Sequence, residues 1–160
     1  MEPEKEVEFF DLIREFERRK IRFLIIGRRA LVLYGAPVLT ADHDLWIHPD
    51  DKRKTLSFIS EELGFELSHP PETRKPIVTG FSGMKKYDLF FQKSVRNSEH
   101  ETIDFEDCYR NSVVKDDPAE GLRFRIPSID DLIRLKKIRK PNAKDQQDIE
   151  YLLKAKRLFR

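Results

Sequence analysis

Ile21-Arg-Phe-Leu-Ile-Ile-Gly-Arg-Arg-Ala-Leu-Val-Leu-Tyr-Gly35 and, just beyond it, Thr40-Ala-Asp-His-Asp-Leu-Trp-Ile47 decide how this chain folds. Residues 21–26 are β-branched, aromatic and aliphatic with a single arginine, which predicts a strand buried on both faces. Gly27 closes the strand, Arg28–Tyr34 has helical character, and Gly35-Ala-Pro37 breaks the helix. Thr40–Ile47 then leads into a second strand that begins with two aspartates, Asp42 and Asp44, on either side of His43. Side chains two apart on a strand point to the same face, with roots about 7 Å apart. Two carboxylates aimed at one place repel unless a cation stands between them, and a hard divalent ion such as Mg²⁺ suits oxygen donors. Asp88, within Lys86-Tyr-Asp-Leu-Phe-Phe91, is the acid of an otherwise apolar strand, where a carboxylate without a partner is costly. It is the candidate third ligand of a two-metal site.

The rest of the chain supplies the frame. Residues 4–20 read as an amphipathic helix with Phe9, Leu12, Ile13 and Phe16 on its inner stripe. Asp50 is placed as the N-cap of a helix carrying Leu56, Ile59 and Leu63, with Gly64 as its stop. Phe65–Ser68 is expected to be a short strand, and Ile77–Gly83 with Met84–Phe91 a hairpin. Residues 92–121 are polar and are expected to be a loop containing one short helix near Phe105–Tyr109. Leu122–Ile126 alternates as a half-exposed strand does. Ser128, three residues before Asp131, opens a helix expected to reach about Arg139. After Pro141-Asn142 a last helix is expected to turn Ile149, Leu152 and Leu153 inward. The pattern is α/β (α+β): a mixed sheet flanked by helices and followed by C-terminal helices. One domain is expected over residues 1–160, with its core at 21–126 and a helical segment at 127–160.

Composition narrows the function. The chain has 160 residues, 38% of them charged, and a formal net charge of +2, so it is not a polyelectrolyte overall. From Arg134 to Arg160, however, ten Lys or Arg stand against three acids. That run is either a solvated helix face or a phosphate-facing surface able to meet RNA. One cysteine, Cys108, excludes an intrachain disulfide and reads as a small buried residue. No apolar run spans a membrane, and the acidic N-terminus lacks the features of a signal peptide, so the cytoplasm is the expected compartment. His43 should face away from the aspartates and serve packing. His48, His69 and His100 have no ligand spacing. Trp46 shares the face of Asp44 and is read as core, as are Tyr87 and Phe90 in the sheet. Asp145 and Asp148 are expected to pair with Lys144 and Arg139 on the helix surface.

Taken together, these stretches resemble the DNA polymerase β-like nucleotidyltransferase superfamily, in particular its minimal branch with the AbiEii-type toxin nucleotidyltransferases. Phe23–Gly35 is similar to that branch's strand, glycine turn and helix. Thr40–Trp46 resembles its paired-aspartate motif with the preceding threonine, and Ile126–Lys136 with Lys144–Ile149 resembles its C-terminal helical segment. The resemblance implies a nucleotidyltransferase-like fold and transfer of a nucleoside monophosphate from a nucleoside triphosphate to a hydroxyl of RNA, protein or a small molecule. It further implies a toxin–antitoxin or defence setting with an antitoxin-like protein partner. By the same resemblance Asp42, Asp44 and Asp88 would hold Mg²⁺ or Mn²⁺. Gly27, Arg28, Arg29, Thr40 and Lys144 would contact the nucleotide, and Lys136 would act beside the carboxylates. The chain departs from the family at Gly27-Arg28, where Gly-Gly or Gly-Ser is usual. An arginine there either clamps a phosphate or fills the nucleotide pocket. The alternatives to catalysis by transfer are an inactive binding module of the same fold and a metal-dependent phosphohydrolase.

Overall fold

The computed structural model describes residues 6–158. In chain order the elements are α1 (Phe9–Arg18), β1 (Phe23–Ile26), α2 (Gly27–Leu33), β2 (His43–Ile47), a 3-10 turn at Pro49–Asp51, α3 (Lys52–Glu61), β3 (Glu66–Leu67), β4 (Ile77–Ser82) and β5 (Lys85–Phe90). There follow β6 (Ser94–Arg96), β7 (Thr102–Asp104), α4 (Phe105–Arg110), β8 (Val113–Asp117), β9 (Leu122–Ile126), α5 (Ile129–Leu135) and α6 (Ala143–Leu158). Five strands form a mixed sheet in the order β1-β2-β5-β4-β3, in which only the β2–β5 pair is parallel. The hairpins β6–β7 and β8–β9 stand apart from it.

Alternation along the strands divides the core. Phe23, Ile25, Leu45, Ile47, Val78, Tyr87 and Leu89 share one face, which packs with Leu12, Ile13 and Phe16 of α1 and Leu56 and Ile59 of α3. The opposite face carries Leu24 and Trp46, covered by Ile103, Phe105 and Cys108. β1 is therefore buried on both sides, as its apolar run predicts. The Trp46 indole is core as expected, and its Nε1 donates to the Gln92 carbonyl at 2.8 Å.

Several boundaries differ from the sequence reading for identifiable reasons. α1 begins at Phe9, and Lys20 at φ 57° turns the chain into β1; residues 4 and 5 of the expected helix lie outside the described residues. Asp50 is not a cap. The ring of His48 accepts the Asp50 N–H instead, and Asp51 accepts from the Arg22 backbone N–H at 3.0 Å and from its guanidinium at 3.1 and 3.3 Å. Residues 92–121 are not a loop with a single helix: they hold β6, β7, α4 and β8. Strands of three residues such as Ser-Val-Arg and Thr-Ile-Asp turn only one apolar side chain inward, too few for periodicity to register. Ser128 does cap α5, accepting from Asp131 N–H at 3.1 Å. α5 stops at Leu135, and at and just beyond its end other groups meet the chain: Asn97 Nδ2 donates to Arg134 O at 3.2 Å and Ser98 N–H to Lys137 O at 2.6 Å. On α6 Leu153 is exposed, and the inner stripe is Asp145, Asp148, Leu152 and Ala155.

His43 lies between the rings of Phe9 and Tyr87, with centroids 5.0 and 4.8 Å away. Burial, aided by the charges of Arg29 and Lys85, pushes its pKa down to about 4. An unfolded histidine takes up a proton near pH 6.5. The resulting stability is intact above that value and is lost as pH falls toward 4, by about 3 kcal/mol in all. Measured by chemical denaturation, His43→Phe should gain on the wild type by about that amount between pH 7 and 4; a constant difference would refute the assignment.

Candidate active site

The site grows from the end of β1. Antiparallel pairing sets Ile26 opposite Asp44, parallel pairing sets Asp44 opposite Asp88, and β4 sets Thr79 opposite Asp88. The same sheet face therefore carries Asp44 and Asp88 on neighbouring strands, about 4.8 Å apart in backbone spacing. Asp42 lies one residue before β2 at the exposed entrance, and its N–H donates to Thr40 Oγ1 at 3.1 Å. Asp88 Oδ1 accepts from Thr79 Oγ1 at 2.9 Å, with Lys86 Nζ 3.8 Å from Oδ2.

Gly27 is the point where backbone and carboxylate meet. Its φ is +68°, a conformation that L side chains rarely adopt, and a Cβ there would fall on Asp44 Oδ2 and within 3.2 Å of Asp44 Cγ. The glycine turn therefore does two things: it starts α2 and leaves space for the Asp44 side chain. That carboxylate is under electrostatic pressure. Burial first, then the fields of Asp88 and Asp42, raise its pKa to about 6, against a weaker pull from Lys136 and Lys86. Among the described residues, no three His, Cys, Asp or Glu side chains gather closely enough to hold a metal ion as they stand.

Beside Asp44 and Gly27 opens a cavity of about 640 Å³. Its apolar wall includes Trp46, Phe90 and Leu135, and its charged edge includes Arg96, Lys136 and Arg139. A volume of that size is typical of small-molecule sites. Lys136 Nζ reaches Asp148 Oδ2 at 2.9 Å, and Arg28 donates to the same carboxylate through Nη2 at 3.2 Å and Nε at 3.4 Å. Burial alone would raise the Asp148 pKa, but the hydrogen bonds from Lys136 and Arg28 outweigh it and hold the carboxyl below its ordinary value.

The structure thus brings Gly27, Asp44, Asp88 and Lys136 together, with Asp42 at the entrance. It does not do so for all the residues named by resemblance. Arg28 neither enters the cavity nor fills it; it turns to Asp148 on α6. Arg29 lies on the far side of the sheet, its guanidinium 5.2 Å from the Phe9 ring centroid and 3.4 Å from His43 Nδ1. Lys144 is exposed and does not line the cavity, and Thr40 serves the Asp42 backbone. The expected surface pairing of Asp148 is corrected: it is buried, with partners on α2 and at the end of α5, while Asp145 accepts from Arg139 Nε at 3.4 Å and from Asn142 N–H at 3.2 Å. The signal was present in the spacing, since 145, 148, 152 and 155 form one helical stripe.

No protein-family model and no curated protein sequence matches the chain. Solved structures do. The lincomycin-bound lincosamide antibiotic adenylyltransferase LnuA superposes with a TM-score of 0.66 at 14% identity, over 94% of this chain and 99% of that one. The antibiotic-resistance factor ANT(2'')-Ia gives 0.58 at 17% identity, over 90% and 80%. An antigenic nucleotidyltransferase-like protein from Paracoccidioides brasiliensis gives 0.59 at 18%, over 93% and 73%. At these identities the likeness establishes the architecture: the chain has a nucleotidyltransferase-like fold, a mixed sheet flanked by helices.

A carboxyl whose pKa is raised by folding contributes stability below its unfolded pKa of about 3.8 and loses it as pH rises through about 6. In metal-free buffer Asp44→Asn should therefore raise the stability at pH 8 by about 1–3 kcal/mol and bring little gain at pH 4. Thermal melts at the two pH values check this, and a lower melting temperature for the variant at pH 8 would contradict it.

Proposed function

We propose that the chain is a nucleotidyltransferase that moves a nucleoside monophosphate from a nucleoside triphosphate to a hydroxyl on a small-molecule acceptor. The observation that carries the reading is the pairing of Asp44 with Asp88 beside the Gly27 turn, at the mouth of a cavity of small-molecule size. The residues fit a divalent metal. All the donors are carboxylate oxygens, and the central one is held as a disfavoured anion by burial and by two neighbouring acids, a condition that Mg²⁺ or Mn²⁺ relieves. Asp42 and Asp44 would hold the ion, with Asp88 as the third carboxylate. When bound, the metal neutralises triphosphate charge as the leaving pyrophosphate departs.

The chain's own residues do the rest. Asp88, opposite Asp44, accepts the proton of the attacking hydroxyl as the new ester bond to the α-phosphorus forms and the bond to pyrophosphate breaks. Gly27 keeps the backbone clear of Asp44. Lys136 supplies positive charge at the cavity wall, and Trp46, Phe90 and Leu135 exclude water from the reacting groups. We read residues 1–160 as one domain, with a core at 21–126 and a helical segment at 127–160 whose Leu132, Leu135, Lys136 and Arg139 form one wall of the cavity.

A small acceptor is favoured over RNA for two reasons. The cavity is bounded on several sides, and four of the ten basic residues of the C-terminal run are already paired with acids: Arg134, Lys137, Arg139 and Lys156 with Asp131, Glu99, Asp145 and Asp130. The lincomycin in the LnuA structure points the same way. An RNA acceptor, an antitoxin-like partner and a defence setting rest on the motif resemblance. No helix among the described residues is long and apolar enough to cross a membrane. The second reading, an inactive binding module, draws on the departure at Gly27-Arg28, but Arg28 turns to Asp148 and leaves the cavity open instead of occupying it.

The test is Mg²⁺-dependent transfer of label from each of the four α-labelled nucleoside triphosphates to pools of hydroxylated small molecules and, separately, to RNA. Activity is expected on the small-molecule pool, falling to background in Asp44→Ala and by about 100-fold or more in Asp88→Asn. Wild-type incorporation no better than that of Asp44→Ala, with every nucleotide and acceptor, would leave the binding module as the correct reading.

A further inference from the structure

The two cations on Asp148 carry a consequence for the cavity. Lys136, Arg28 and Asp148 have side-chain exposures of 15%, 18% and 3%, so the three charges are largely withdrawn from water. A lysine paired with a single carboxylate is neutral as a unit. Lys136 and Asp44 line the cavity together, so a neutral Lys136–Asp148 pair would leave Asp44, with Asp42 and Asp88 near it, opposed only by Arg96 and by Arg139, which Asp145 already pairs, and would weaken the attraction for polyphosphate. Arg28 changes the balance. It offers Nη2 and Nε to Asp148 and brings the buried cluster to a net charge of +1. The guanidinium stays charged at any working pH, and Asp148, held ionised by its two partners, completes the count.

We infer that Arg28 is the charge-balancing residue of the site: it neutralises Asp148 so that the charge of Lys136 is left for the polyphosphate. It acts through Asp148 and Lys136 and not by touching the substrate. This explains why an arginine is tolerated immediately after Gly27, where a phosphate clamp or a plugged pocket would otherwise be expected. Arg28 leaves the cavity open while its charge offsets Asp148 behind the cavity wall. The inference rests on the nucleotidyltransferase reading for the identity of the anion, and it concerns a residue that reading does not use.

Charge rescue tests it. Inorganic tripolyphosphate is titrated calorimetrically into the full chain with excess Mg²⁺, comparing wild type, Arg28→Gln, Arg28→Lys, Asp148→Asn and the double variant Arg28→Gln/Asp148→Asn. Arg28→Gln should weaken binding about tenfold, and Arg28→Lys should remain near wild type. The double variant, which again leaves Lys136 unneutralised, should recover most of the loss. Asp148→Asn alone, with two cations and no acid, should bind no more weakly than wild type, and this arm does not depend on the folding of Arg28→Gln. Unchanged affinity in Arg28→Gln, no recovery in the double variant, or weakening in Asp148→Asn would each overturn the inference while leaving the transferase reading intact. A wild-type protein that binds no tripolyphosphate at all would bring down both.

Discussion

Everything at the putting-together of this site depends on how closely the Gly27 backbone comes to the Asp44 carboxylate. That approach fixes three things together. β1 must end there, because the chain takes φ +68° and turns into α2. β2 must pair antiparallel so that Ile26 faces Asp44, and β5 must then bring Asp88 alongside from the other edge. A side chain at residue 27 would displace the Asp44 carboxylate or open the β1–α2 turn, and either change moves the acids relative to one another. The site is thus a property of strand register, and register in a sheet with a buried face is strongly specified.

α6 illustrates the opposite way of placing charge. Its inner stripe begins with two carboxylates, each supplied with cations from other elements. Removing a partner from a buried ion cluster leaves an uncompensated charge, which is far more costly than the intact cluster is stabilising. Asp148 therefore acts as a joint between α2, the end of α5 and α6. Its value lies in orientation more than in net stability. Because Lys136 belongs both to this joint and to the cavity wall, the position of the last helix and the electrostatics of the cavity are set by the same atoms.

Much of this was legible in the amino-acid sequence. The buried strand 23–26, the glycine turn, the hairpin around Ser82-Gly83 and the Ser128 cap all follow local rules that tertiary contacts reinforce. Asp42 and Asp44 were readable as a same-face pair by parity and Asp88 as the acid of an apolar strand, but that Asp44 stands opposite Asp88 depends on the register of β2 with β5. What was not legible depends on partners distant in sequence. Arg28 and Asp148 are separated by 120 positions, and nothing near either one announces the other. Asp148 looked like a surface acid because helical patterning counts apolar residues and passes over a carboxylate that earns its burial through ion pairs. The strands β6 and β7 escaped for a simpler reason: three residues carry too little alternation to separate strand from loop.

His43 and Asp44 are neighbours that face opposite sides of the sheet, and their environments reverse the usual order of proton affinity. The histidine holds a proton only below about pH 4, and the aspartate keeps one up to about pH 6. In an unfolded chain at pH 5 the imidazole would be protonated and the carboxyl would not. Folding therefore disfavours a proton on the ring and favours one on the adjacent acid. The two shifts oppose each other in the proton count of the whole protein, so spectroscopy of the imidazole reads what an overall titration partly cancels.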